Sequence, residues 1–467
     1  MLPAAIAVAA APLVQKTSAP GGSSQYSYLW TEASKAALST ALADRVGHGL
    51  DLVRSFEMDE AASDEAFSAM ALRYAQALAS GLVNPTVVHD PFTLGRAEPN
   101  LASALETALA TGTLGKWLAE LPPQDAEYAK LSASYRNLQA IAGGEVLAKI
   151  PDGVINVGDS DTRIPAIVDR LVAGGYLIAA GHRNSVIYSP PIADAIKAMQ
   201  RDYGITEDGV IGPDTLGILN MSVADHARAI AVALERRRWL DRSPPATRID
   251  VNTAAAALYY YRNGQLIDTR KVIVGSPGTE TPPLQSPIYR LVANPTWTVP
   301  KSIQNGELAN VGVNYLERNN MELRNGWIVQ RSGPDNALGL VKFDMMNAHA
   351  IYLHDTSSPE LFDRSQRYRS HGCVRVEDAL GFAQLLADDQ GLSLEWQNAQ
   401  SAGEEQFVPL KTYIPVRLIY WNVFIEAGGK LAFRTDPYGW NEAIAKELGF
   451  GDRAVAPRRF EKADISP

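Results

Sequence analysis

The 467-residue chain has one cysteine, Cys373. No internal disulfide can staple the fold, and no repeated Cys-x-x-Cys can build a structural zinc site. Long apolar runs are also missing: none reaches the roughly 20 residues that a membrane-spanning helix needs. Positive charge is scarce, with 43 Lys and Arg against 52 Asp and Glu for a formal charge of −9. That balance argues against nucleic acid as a partner, because binding phosphates takes a basic face. No internal repeat, long low-complexity segment or Gly-x-Ser-x-Gly occurs. What remains is 46% apolar and 20% charged, the texture of a packed globular protein. At roughly 150 residues per domain the length suggests about three domains.

Residues 1–22 pair an Ala-rich apolar stretch, MLPAAIAVAAAPLVQ, with a polar, flexible exit. Although the usual positive start is absent, they read as a secretory signal-like segment, so export is expected. Residues 23–155 read as a helical scaffold, with apolar residues at three- and four-residue spacing broken by Pro and Gly. His48 and His89 fall here without catalytic company and are read as surface or capping residues. Residues 160–222 hold two amphipathic helices, the turn TEDGVIGP, and a third helix opened by Pro213. The spacing resembles the peptidoglycan-binding domain type 1 family, a three-helix module. Residues 223–245 read as a basic amphipathic linker helix whose four arginines between 236 and 242 form a solvated face.

From residue 246 the texture turns to strands. Asn263-Gly264 between two apolar runs marks a tight hairpin. SPIYRLVANPTWTVP, HAIYLHDT and FVPLKTYIPVRLIYWNVFI supply more strands, and EDALGFAQLLADDQG reads as a helix beginning just after Cys373. The fold class expected is multidomain α+β, with a helical scaffold and three-helix module followed by a β-rich catalytic domain at 246–436 and a C-terminal tail at 437–467.

The chemistry concentrates in residues 351–376. A nucleophilic cysteine needs a base to make thiolate and a donor array for the oxyanion that forms on attack at a carbonyl. His354 closes a strand, and His371 and Cys373 share a short Gly-containing stretch. The fifteen residues 355–369 are enough chain to loop out and bring His354 back beside Cys373. Gly372 permits close backbone approach, so N–H groups around Cys373 could face a substrate oxygen. Metal ligation by His354, His371 and Cys373 is the weaker alternative, because a single intervening residue is an awkward chelate spacing. A redox switch lacks a resolving cysteine.

At these residues the sequence resembles the L,D-transpeptidases, whose motif is a histidine, a loop of similar length, then Ser/Thr-His-Gly-Cys and an apolar residue. His354 and Ser370-His371-Gly372-Cys373-Val374 match it, while Arg375 stands where many members carry Asn. Val-Arg-Val, NPTWTVP (294–300), GPDNALGLVKF (333–343), LERRRWL (234–240) and KVIVGSPGTETP (271–282) resemble the large scaffold-containing Gram-negative subgroup. The stretch 301–335, where that subgroup carries a capping insertion, looks short, so a reduced lid is expected.

The resemblance implies a periplasmic enzyme without a cofactor that joins peptidoglycan stem tetrapeptides. Cys373 would take the acyl group of meso-diaminopimelate, release D-alanine, and yield a 3→3 cross-link with a neighbouring diaminopimelate amine. His354 is the implied base, oriented by the backbone carbonyl of Asp355; its carboxylate as a triad member is the lesser reading. His371 would line the pocket and Ser370 order the turn. Arg375 would meet a substrate carboxylate or, about equally, form a salt bridge to Glu377 or Asp378. Trp297 and Tyr352 are read as core. Carbapenems are the implied covalent inhibitors, and other wall synthases are possible partners. A wall-binding protein with a decayed site, a carboxypeptidase and an endopeptidase stay open as alternatives.

Overall fold

The computed structural model describes residues 30–59, 62–96, 98–141, 148–178, 181–426 and 428–452. The signal-like segment at 1–22 and residues 453–467 of the C-terminal tail lie outside them.

The scaffold begins with α1 (Glu32–Ala43), α2 (Asp64–Ser80), α3 (Pro85–Val88), α4 (Leu101–Ala110), α5 (Leu114–Glu120) and α6 (Ala126–Ile141). Local chemistry sets where these helices start. Thr31 and Ser34 form a reciprocal capping box on α1, Ser63 caps α2, and Asn84 precedes Pro85 at the first turn of α3. The three-helix module is α7 (Ile164–Ala173), α8 (Pro190–Tyr203) and α9 (Pro213–Leu219) around a core that includes Ile167, Leu171, Ile196 and Leu216. Its α8 ends at Gly204 in the left-handed region, φ +68°.

Next comes α10 (Val223–Arg238), started by a Ser222–Asp225 capping box. Here the expected solvated basic face fails for Arg236 and Arg238, while Arg242 is exposed. Arg236 and Arg238 are buried, and α10 packs against α2 and α6 with Ile230, Ala231 and Leu234 in the scaffold core. Partners remote in sequence make this possible. Arg238 meets Glu235 at 2.6 Å and donates to the His48 carbonyl and the Tyr128 hydroxyl. Arg236 donates to Asn422 and Asn441, and Arg242 to the carbonyl of Ala79. His89 is also corrected: it is 4% exposed, with its ring 4.5 Å from that of Trp440.

The C-terminal half contains β1 (Arg248–Asn252), β2 (Ala257–Arg262), β3 (Gln265–Gly275), β4 (Leu284–Ala293), β5 (Trp297–Thr298), α11 (Lys301–Asn305), α12 (Val313–Arg318), β6 (Met321–Arg324) and β7 (Trp327–Gln330). It continues through β8 (Val341–Met345), β9 (Leu353–His354), β10 (Tyr368–Ser370), β11 (Val374–Val376), α13 (Ala379–Asp389), α14 (Ser393–Ser401) and β12 (Gln406–Ile419). A hairpin of β13 (Val423–Ile425) and β14 (Leu431–Phe433) and a last helix, α15 (Asn441–Glu447), follow.

Among the described residues nine strands pair in the order β10-β3-β11-β9-β8-β4-β12-β1-β2. β3 also pairs with β2 along its first half, so the sheet closes on itself. The β2–β3 turn has Asn263 at φ +52° and Gly264 at φ +81°, as a type I′ hairpin requires. One face of the sheet, including Val251, Leu291, Phe343, Leu353, Val374 and Val416, packs with Phe382 and Leu386 of α13. Each such side chain removed from water is worth about 1.5–3 kcal/mol. The Val-Arg-Val run forms strand β11, so Cys373 sits on a turn between two strands; the helix expected just after it starts at Ala379.

Candidate active site

Lys342, His354 and Arg375 form one row across three strands. β8 pairs Lys342 with His354, and β9 pairs His354 with Arg375 in parallel register. Their neighbours Phe343, Leu353, Val374 and Val376 point into the sheet core. By the two-residue alternation of a strand, the row occupies the opposite face. Cys373, one residue ahead of β11, shares that face. Its strand neighbour is Tyr352, whose carbonyl accepts the Val374 N–H at 3.1 Å.

The turn carrying Cys373 is fixed by hydroxyls. Ser370 is fully buried; its Oγ donates to the Cys373 carbonyl at 2.6 Å and accepts the Gly372 N–H at 3.2 Å. The Gly372 N–H is therefore spent inside the turn and is not among the N–H groups around Cys373 open to a substrate oxygen. Gly372 itself adopts φ +115°, which only glycine reaches without strain. The loop 276–281 braces the turn from behind. Thr281 accepts the Gly275 N–H and donates to the Gly372 carbonyl, both at 2.8 Å, and Thr279 donates to the Ser370 carbonyl at 3.1 Å.

Burial and charge set the resting protonation states. Cys373 is 4% exposed and His354 fully buried. Burial pushes the Cys373 thiol up to about 11, although Tyr352, Lys342 and Arg375 oppose the shift. His354 is lowered to about 3, first by burial and then by the Arg375 and Lys342 charges; the Asp355 backbone works in the other direction. Among the described residues neither ring nitrogen of His354 has a hydrogen-bond partner within normal geometry. The resting pair is thus a neutral thiol and a neutral imidazole. The Asp355 carboxylate accepts the Leu340 N–H at 2.8 Å, and burial raises its pKa.

Arg375 is 1% exposed. The two acids considered for it are engaged elsewhere, Glu377 with Lys271 at 3.1 Å and Asp378 with Arg270 at 2.6 Å. Trp297 is 1% exposed, as expected of a core residue. Tyr352 is half-buried: its ring lies 5.6 Å from that of His354 and 4.3 Å below the Lys342 ammonium.

The stretch 301–335 is a folded unit. α11, α12 and the small sheet β5-β7-β6 enclose an apolar cluster of Trp297, Val299, Ile303, Leu308, Met321, Ile328 and others. Tyr352 packs against this cluster, which ties the unit to the face carrying Cys373 and His354. From this unit, where a lid was expected, Glu307 reaches His371 at 2.9 Å. Sequence reasoning missed Glu307, and no local pattern marks it. Among the described residues no group of three or more His, Cys, Asp or Glu is arranged to hold a metal ion. No helix among them is long and apolar enough to cross a membrane.

Comparison with known proteins matches three families along the chain. Residues 246–393 match the L,D-transpeptidase catalytic domain, residues 22–134 the Scaffold domain, and residues 160–219 the "Putative peptidoglycan binding domain". A curated Haemophilus influenzae protein named "Putative L,D-transpeptidase" is 32% identical over 220 residues, 42% of this chain and 45% of that protein. The match thus spans less than half the length of that relative. Among solved structures, the L,D-transpeptidase (Yku) of Stackebrandtia nassauensis is 14% identical, with 58% of this chain and 96% of that one covered at a TM-score of 0.26. The L,D-transpeptidase of Xylanimonas cellulosilytica is 17% identical, with 59% and 100% covered at a TM-score of 0.19. At such TM-scores these superpositions add no weight to the domain matches. Residues 246–393 are thus similar to the L,D-transpeptidase catalytic domain, behind stretches similar to a scaffold domain and a peptidoglycan binding domain.

Proposed function

We propose that this protein is an exported, periplasmic L,D-transpeptidase that forms 3→3 cross-links between diaminopimelate residues of neighbouring peptidoglycan stems. The observation that carries the reading is that Cys373, one residue ahead of β11, shares a sheet face with His354 on the adjacent strand β9, whose imidazole is kept neutral by burial and then by two flanking cations. A neutral imidazole is unprotonated and open to accept a proton, and a buried thiol is reactive only once it gives one up.

In the donor step, the Cys373 sulfur bonds to the diaminopimelate carbonyl carbon while its proton passes to His354. The bond to D-alanine then breaks, and His354 returns the proton to the leaving amine, leaving a thioester. The acceptor amine attacks that thioester, a new amide forms, and sulfur leaves as the protonated thiol. The Asp355 main chain, which favours the protonated form of His354, would take up the ring once it accepts a proton, and the Asp355 carboxylate is already committed to the Leu340 amide. Arg375, buried in the same row, tunes the base and fixes the strand end; His371 and Gly372 complete the turn around the sulfur. The module at 160–219 holds the enzyme on the wall, where other wall synthases are the expected neighbours.

Incubation with tetrapeptide-containing muropeptides and separation of the products tests the assignment. Wild-type protein should give cross-linked dimer and free D-alanine, and a carbapenem should add its mass to Cys373. Cys373→Ala should fold and do neither. Tripeptide without dimer would make the protein a carboxypeptidase, and dimer formation persisting in Cys373→Ala would sink the cysteine mechanism. Removing the module should weaken co-sedimentation with sacculi while leaving carbapenem acylation intact.

A further inference from the structure

Glu307 follows α11 at the edge of the 301–335 unit that meets the catalytic turn. Its Oε1 accepts a hydrogen bond from Nε2 of His371 at 2.9 Å, and His371 lies two residues ahead of Cys373. The Glu307 side chain is 42% exposed whereas that of His371 is 14% exposed, so the carboxylate faces solvent over a covered site. Among the described residues no other side chain is paired with this carboxylate. Glu307 is thus an exposed acidic group hydrogen-bonded directly to the turn that carries Cys373. The contact with His371 holds its pKa below the usual carboxylate range, so it is anionic at neutral pH.

A cross-linking enzyme has two substrates of different charge at the reacting end. The donor brings a neutral amide carbonyl, whereas the acceptor brings an amine that arrives as an ammonium. A half-exposed carboxylate against the catalytic turn suits the second and has no use for the first. We propose that Glu307 binds the acceptor ammonium and, through its hydrogen bond to His371, aims it at the acyl group on Cys373. This rests on the transpeptidase reading above.

To attack, the ammonium first gives one proton to solvent through the Glu307–His371 pair. The neutral nitrogen then bonds to the acyl carbon. Its second proton goes to His354, which passes it to sulfur as the carbon–sulfur bond breaks.

The test separates the two half-reactions in Glu307→Gln, which keeps the size of the side chain and removes its charge. Carbapenem acylation needs no acceptor amine and should be retained. Dimer formation from tetrapeptide stems should fall roughly ten- to a hundredfold, the size of one hydrogen bond to a charged group. The KM for acceptor should rise, and hydrolysed tripeptide and acyl-enzyme should accumulate. Glu307→Asp should restore part of the cross-linking. Unchanged cross-linking would overturn the proposal. So would an equal fall in acylation and cross-linking, which would make Glu307 a prop for the 301–335 unit alone. A wild-type protein that no carbapenem acylates would instead overturn the underlying transpeptidase assignment.

Discussion

His354 and Arg375 stand opposite each other in parallel register, the imidazole beside a buried guanidinium. A fixed cation there penalises the imidazolium at every turnover. Arg375→Gln should therefore raise the His354 pKa from about 3, moving the acid limb of carbapenem acylation to higher pH. Titration of the imidazole by NMR provides an independent check. An acid limb that stays in place would mean that burial alone sets this pKa.

The base assignment predicts a specific loss. His354→Ala should slow carbapenem acylation by roughly two to four orders of magnitude, the usual size of general acid–base assistance. The residual rate should climb with pH toward the thiol's own ionisation, which burial has pushed up to about 11. His371→Ala should lose activity without that alkaline climb. If the climb appears in the His371 variant instead, the two roles are reversed.

Stability should fall on acidification in a defined window. The folded-state pKa values of His48, His89 and His354 are lowered to about 4, 3 and 3, in each case chiefly by burial. With unfolded values near 6.5, the unfolded chain binds more protons between about pH 3 and pH 6.5. The contribution of these residues is complete above pH 6.5 and is lost as the pH falls through that window. Urea midpoints from pH 7 to pH 4 should decline, and His89→Gln should flatten part of the slope. A slope unaltered by that substitution would count against the linkage.

Glu235→Ala should cost about 3–5 kcal/mol, because it strips the partner from a buried guanidinium. The carboxylate takes Arg238 at 2.6 Å, the Val83 N–H at 2.7 Å and the Trp239 indole at 3.0 Å, all out of water. Urea denaturation measures the loss. A change below about 1 kcal/mol, the scale of an exposed pair, would mean that water reaches the site.

Which features were legible in the sequence follows from the range of the interactions that make them. Asn263-Gly264 and Pro213 act over a few residues, so the hairpin and the start of α9 could be read directly. His354 and Cys373 were found because their chemistry is written in a short motif. Glu307 meets His371 across 64 residues, and Arg236 meets Asn422 across 186. Such pairs leave no local trace, so arginines that looked like a wet helix face proved to be buried. Val-Arg-Val shows the same limit at short range. Three residues were too few to separate a strand from a helix start until pairing with β3 and β9 decided it.

The scaffold core begins at Trp30 and is finished by Val423, Ile444, Ala445 and Leu448. Topologically, the helical domain is assembled from three stretches, α1–α6, α10 and the β13–α15 segment, with the binding module inserted before α10 and the catalytic sheet after it. A chain emerging N-terminus first can pack α10 against α2 and α6 early but must leave part of the apolar face open until β13 and α15 arrive. The scaffold closes last although it is begun first.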